Sequence, residues 1–487
     1  MRATKLILFS LVLLLLAISS LQLCYPVFKE SPLNGFFSQN PSPSLKYFTW
    51  RRWFSSNFQD EITKQFNDHL GLRNSLVRIS NQCDYSLYGI IHADGFIRGK
   101  NRYLYEEGYI HEYTGEYFIG TAAIDKKLSR LKNVMDSLNA YHIPLLLVYE
   151  PGKAGFYPEF IPGRFHPEKR TLTNYEYMLQ RSQELGLTFM DLHSYFLKMK
   201  DTSRYALFPR YGMHWSMYGA HIAADTISRF LSTVSNVKMP FFQVRKMHLS
   251  SRSLGSDYDI GEMLNLACPL EPTPGAYPMV PFHSIPAGIL SALVVADSYY
   301  ITLVESYGKK MFGKQDFWYY NKKMYPNQNN NPPEYVDKSS LREKLKKYDV
   351  ILLMVSEINL HCGFWNFADE AFLAFHPEIK DPLLYGIENE IRNDRQWFQF
   401  ISGRALREQM TLEKTIRINA EYVFFSNYNN LPGKGYWDTI QYISMNIKNN
   451  TEWIKQITKN AHDQNMPVDS AILLNAIYTY NQSKKKP

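Results

Sequence analysis

The sequence predicts an α/β fold, a parallel sheet with helices on both faces followed by a helical appendage. Three observations carry this. Apolar runs stop at polar turns at 143–149, 187–192, 293–298 and 350–355, the pattern of strands buried on both faces. Helical stretches alternate with these runs, which requires crossovers and so parallel pairing. The last hundred residues carry no such runs and instead repeat themselves at helical spacing.

The chain opens with Arg2 and Lys5 before an uncharged apolar run at 6–23, which is 23 − 6 + 1 = 18 residues. That is the short end of a membrane span and long for a signal-peptide core. Leu21-Gln22-Leu23 offers no small residue for cleavage, and Leu23 before Cys24 does not fit lipoprotein processing. The expectation is an anchor at 1–24 with its positive end in the cytoplasm, cleaved secretion being the alternative. Pro26, Pro32, Pro41 and Pro43 among Ser and Asn mark a linker at 25–54.

The main domain is expected at 55–380. It starts with a helical pair broken near Gly71 and short strand-like pieces at 96–99 and 102–105. Ile124, Leu128, Leu131, Met135 and Leu138 then line one helix face ahead of the 143–149 strand. A helix at about 174–185 precedes the 187–192 strand. Ser216 can cap a helix from Met217 to about Leu231, which puts His214 in the loop before it. An irregular excursion at about 235–290 contains Asp257 and Asp259. At 381–487, Trp397, Ile401 and Ala405 recur as Trp453, Ile457 and Ala461 at an offset of 453 − 397 = 56. Two such helical units are an appendage rather than a solenoid, which needs about three or more repeats.

Composition narrows the function. The 487 residues are 45% hydrophobic, enough for a globular core. The +8 net charge is spread along the chain, and the one basic run, Lys484–Lys486, is at its end, so no nucleic-acid partner is expected. Four cysteines without a CxxC pair indicate neither a zinc nor a redox site, and a Cys268–Cys362 bridge stays open. Neither a metal nor an organic cofactor is expected. Tyr and Phe are abundant, a composition that also suits amphipathic ligands such as sugars.

Chemistry concentrates at Ala296-Asp297-Ser298-Tyr299. A serine where a buried strand meets a helix stands where open α/β sheets bind ligands, although capping that helix is the plainer role. His214 alone is more simply a structural histidine. Asp191 and Glu357, both at strand ends, have helix-capping as their common role.

Taken together and in order, several stretches resemble the SGNH-hydrolase-like proteins of bacterial polysaccharide O-acetylation, the group holding the alginate O-acetylation and DHHW-type proteins. They are Asn67–Arg73, Arg98–Tyr105, Val148–Lys153 with Tyr157-Pro158 and Pro162, Phe208–Gly219 around His214-Trp215, and Ala296–Tyr299. The resemblance covers roughly 55–360. It implies a permuted SGNH-hydrolase-like (flavodoxin-like) sheet, Ser298 as nucleophile and His214 as base. It also implies O-acyl transfer to a polysaccharide through an acyl-serine, fed by a membrane-bound O-acyltransferase. The domain would sit in the periplasm on a single-pass inner-membrane anchor. Family members usually carry aspartate two residues before the histidine, where this chain has Gly212. Asp259 is preferred as the replacement, with Asp257, Asp297 and Asp191 as alternatives. Lys153, Trp215, Tyr299 and Asn321 are the candidates for binding substrate or the oxyanion. A carbohydrate esterase, or a non-catalytic glycan-binding or assembly protein, would fit the same residues.

Overall fold

The computed structural model describes residues 2–25, 27–35, 49–54, 56–282, 289–325, 335–338, 340–407, 409–428 and 446–463, with scattered positions between 443 and 479. Pro26, Pro41, Pro43, the second repeat's turn at 465–467 and Lys484–Lys486 lie outside the described residues.

A hairpin of β1 (Phe96–Arg98) and β2 (Leu104–Glu106) precedes the main sheet. That sheet is built from β3 (Leu145–Glu150), β4 (Phe189–Asp191), β7 (Ser291–Ala296), β8 (Lys314–Tyr319), β9 (Lys323–Tyr325) and β10 (Val350–Ser356). The spatial order is β4-β3-β10-β7-β8-β9. Five strands are parallel; β9 returns antiparallel to β8, so the expectation of a wholly parallel sheet is corrected at this edge. Tyr320 and Asn321 are left-handed there, with φ of 51° and 52°, and turn the chain straight back.

The order identifies the topology. Counted from β7 through β8 and β10, then from the start of the chain through β3 and β4, the parallel strands read 2-1-3-4-5. That is the flavodoxin-like order with the chain's beginning relocated. The switch point of such a sheet, where the connections part to opposite sides, lies between β7 and β10 here.

Strand alternation divides the core into two faces. On one, Val148, Val294, Ala296, Leu352 and Met354 pack under Ala223, Ile227 and Leu231 of helix Met217–Ser235. On the other, Leu147, Leu293, Val295, Ile351 and Leu353 pack under Ile124, Leu128 and Leu131 of helix Thr121–Asn139 and under Phe367 and Ala371. The central strands β3, β7 and β10 are therefore apolar on both faces along their middle, unlike a strand with one wet face.

The excursion before β7 is more ordered than its composition suggests. β5 (Lys246–Ser250) and β6 (Gly275–Met279) pair antiparallel. Between them a helical turn at Gly255–Tyr258 runs into helix Asp259–Met263. Cys83, Cys268 and Cys362 are free, so the Cys268–Cys362 bridge does not form.

Helix Arg2–Cys24 is long and apolar enough over Thr4–Gln22 to cross a membrane. The segment after it docks on the domain. Glu30 accepts from Ser75 N at 2.8 Å, Arg78 reaches Pro32 O at 2.7 Å, and Asn34 exchanges hydrogen bonds with Asn265 at 2.7 and 2.9 Å. At the other end, helix Pro377–Asn393 spans the expected 380/381 boundary. Ile401, Ile416 and Ala420 are buried together in one helical core, and Ala405 is buried beside Ile401 on the same helix. Their counterparts at the 56-residue offset, Ile457, Ala461, Ile472 and Ala476, are buried together in another.

Candidate active site

Ser298 follows β7 at the head of helix Tyr299–Leu303, the N-cap position, yet its side chain caps nothing. Asp297 does that work: its Oδ1 accepts from Tyr299 N at 3.0 Å. The serine hydroxyl is thereby released, and its Oγ lies 2.8 Å from His214 Nε2. His214 arrives from the loop before helix Met217–Ser235, whose start Ser216 caps through Gly219 N at 2.9 Å. Such a cap is worth about 1 kcal/mol.

The acid behind the histidine comes from the excursion. Asp259 Oδ2 stands 3.5 Å from His214 Nδ1. Its other oxygen accepts from Met213 N at 2.8 Å and from its own helix at Ile260 N, 2.6 Å. Those bonds fix the carboxylate so that Oδ2 faces the ring. Gly212 explains the substitution. A Cβ at 212 would lie 2.5 Å from Ser256 O and 2.6 Å from Pro209, so the Gly255–Met263 segment fills the space an aspartate there would need.

The other acids are spoken for. Asp257 is buried and accepts from Met217 N at 3.0 Å, at the start of the helix, and burial pushes its carboxyl up to about 6. Asp191 caps helix Leu192–Met199 through Ser194 N at 3.0 Å and accepts from Tyr175. Asp297 Oδ2 accepts from Ser356 N, Ser356 Oγ and Asn359 Nδ2 at 3.0, 2.6 and 2.8 Å. None of these three partners His214, so they are corrected as alternatives for that role.

Three of the residues expected to meet substrate or the oxyanion are committed elsewhere, and a fourth, Tyr299, lies inside the core. Lys153 is buried and donates to Arg210 O at 2.9 Å and Gly212 O at 2.7 Å. It pins the loop leading to His214, and burial pushes its amine down to about 7. Trp215 is fully buried against Phe196 and Tyr299, so it packs rather than stacks on sugar. Tyr299 is likewise buried and sets its ring edge-on to His214, centroids 4.8 Å apart. Asn321 gives its amide to Trp365 O at 3.0 Å and Glu370 Oε2 at 2.8 Å, away from Ser298.

The residue that faces the serine is the neighbour, Tyr320, whose hydroxyl lies close enough to the Ser298 side chain to interact with it. Its signal was its place beside Asn321 at the end of the β8 run. Two further acids were not foreseen. Glu106, at the end of β2, faces His214 and Asp259 and is raised by burial. Glu150, at the end of β3, is fully buried, and burial followed by the neighbouring Asp297 carboxylate raises it far above the ordinary range. Asp297 takes four hydrogen bonds and holds its charge among them, so a proton shared by this pair rests on Glu150.

A serine, a base, a half-buried acid behind the base and a tyrosine hydroxyl at the switch point of a permuted flavodoxin-like sheet define an SGNH-hydrolase-like domain. Residues 96–282 match the family model of the SGNH hydrolase-like domain of the acetyltransferase AlgX. The matched stretch holds Lys153, Gly212, His214 and Asp259; Ser298 follows it. No curated protein matches the chain. Among solved structures, it is similar to the O-acetyltransferase domain of Pseudomonas putida AlgJ, at 16% identity and TM-score 0.35 over 55% of this chain and 92% of that one. Bacillus cereus PatB1 is similar at 11% identity and TM-score 0.40, over 56% and 99%. Pseudomonas aeruginosa AlgX is similar at 13% identity and TM-score 0.34, over 55% and 67%.

Proposed function

We propose that this protein is an extracytoplasmic O-acetyltransferase that acts on a polysaccharide through an acetyl-Ser298 intermediate. The 2.8 Å contact between His214 Nε2 and Ser298 Oγ carries the reading. Nε2 takes the hydroxyl proton as Oγ attacks the acetyl carbonyl, and the developing imidazolium faces the Asp259 carboxylate. The Tyr320 hydroxyl is the side-chain donor available to the tetrahedral oxyanion. Collapse expels the donor's leaving group, which takes the proton from His214. A sugar hydroxyl then attacks the acetyl-serine, gives its proton to Nε2 and leaves as the acetyl ester, restoring Ser298. The family match supports acetyl as the acyl group and a polysaccharide as the acceptor. Helix Arg2–Cys24 supports a membrane anchor, and a membrane-bound acyltransferase is the expected supplier of acetyl groups across the bilayer.

Incubation with p-nitrophenyl acetate followed by peptide mass spectrometry tests this. Wild type is expected to carry one acetyl group on Ser298, and Ser298→Ala none. Adding a glycan acceptor should move the acetyl group to sugar; release as free acetate alone would assign the protein as an esterase. An unmodified Ser298 that also resists a serine-directed phosphonate would falsify the catalytic reading.

A further inference from the structure

Tyr320 and Trp365 share an uncommon backbone setting. Tyr320 and Asn321 are left-handed after β8, and the four residues Gly363, Phe364, Trp365 and Asn366 are left-handed after β10, with φ of 57°, 61°, 49° and 63°. Of these only glycine takes that conformation freely. The two segments are tied together, since Asn321 Nδ2 donates to Trp365 O at 3.0 Å and to Glu370 Oε2 at 2.8 Å. Glu370 is itself held by Lys338 at 2.5 Å.

The core accounts for only part of this. Phe364 is fully buried and packs under the sheet. Trp365, next to it, remains partly exposed. Its indole meets the Tyr320 ring edge to face, with centroids 5.4 Å apart and planes at 76°. The same tyrosine turns its hydroxyl toward Ser298. The indole therefore stands one tyrosine ring away from the nucleophile, on a strained and cross-braced backbone. Strain of this kind persists where the surroundings over-determine it, and it concentrates at ligand sites.

We propose that Trp365, steadied by Tyr320, is the platform on which a sugar ring of the acceptor stacks while its hydroxyl attacks acetyl-Ser298. The proposal rests on the transferase reading above and adds the subsite. A pyranose presents a face of C–H groups and a rim of hydroxyls. The indole face suits the first and leaves the second free to point at Ser298. An acetyl ester has no such face, so loading of the serine does not use Trp365.

The test separates the two half-reactions in the full-length chain. Trp365→Ala should leave acetylation of Ser298 by p-nitrophenyl acetate within about twofold of wild type. It should raise the acceptor concentration for half-maximal transfer about tenfold. Trp365→Phe should recover part of that loss, which a purely structural role would not give. Binding is read separately. In Ser298→Ala protein, a neutral β-glucan oligosaccharide or an acidic oligouronate should change the indole fluorescence, and the added Trp365→Phe change should abolish the response. The platform is overturned if Trp365→Ala slows serine loading as much as transfer, or leaves the acceptor dependence unchanged. It is also overturned if neither sugar gives a Trp365-dependent signal while wild type transfers acetyl to one of them. A wild type that never forms acetyl-Ser298 overturns the transferase reading instead, and the fluorescence titration still reports on the platform.

Discussion

At the scale of single residues, the site turns on how one acid was replaced by another. Asp259 reaches His214 because Gly212 leaves room for the segment that carries it. Asp259→Asn should therefore lower kcat/KM for acetyl transfer by about 10²- to 10⁴-fold, by analogy with a triad that has lost its acid. Restoring the family's aspartate by Gly212→Asp should not rescue that variant. It should lower the melting temperature, because the new Cβ meets Ser256 O at 2.5 Å. Glu150 makes a second test. Glu150→Gln can still donate to Asp297 and should stay near wild type. Glu150→Leu removes the only proton Glu150 could offer the carboxylate beside Ser298, and its kcat should fall about tenfold or more. Equal loss in both variants would mean that Glu150 is not the proton donor. Ser298 and His214 stood out in the sequence through the ordered set of family-like stretches, since the hydrophobic pattern alone gave each a plainer role as helix cap or structural histidine, and Asp259 was only the preferred one of several acids. Glu150 and Tyr320 were not legible, since a strand-end glutamate and a tyrosine among tyrosines look ordinary until the sheet order brings them to the serine.

At the scale of elements, the strands were easier to read than the loops. Runs such as Val350–Ser356 leave no ambiguity, being apolar on both faces. The β5–β6 pair was missed because its exposed, mixed residues and Pro278 carry no clean alternation. Lys153 was misjudged for a related reason: burial is a property of the assembled loop, and nothing in Pro151-Gly152-Lys153 announces it. Its amine, pushed down to about 7 from 10.5 by burial, makes the loop's stability depend on pH. Between those values the unfolded chain binds more protons than the folded one, so stability rises with pH across that window. Lys153→Met should flatten this rise in thermal melts recorded from pH 7 upward. It should also leave the Gly212 carbonyl unpaired, at about 1–3 kcal/mol, and reduce turnover through His214.

At the scale of the whole molecule, the permuted strand order explains why the histidine precedes the serine in the chain although both meet at one end of the sheet. The appended helices follow a different logic: two small cores repeat at a fixed offset, and among the described residues none of those paired with Ser298, His214 or Asp297 comes from them. The N-terminal strap joins these scales. Asn34 grips Asn265 and the Glu262 carbonyl, beside the short helix that begins with Asp259. Ten peptide steps separate Cys24 from Asn34, and an extended chain covers at most about 36 Å in that distance. If the first helix spans the bilayer, the strap acts as a short leash. The face of the domain that Asn34 grips would then stay within about 36 Å of the lipid surface, which limits how far the mouth beside it can turn away from the membrane.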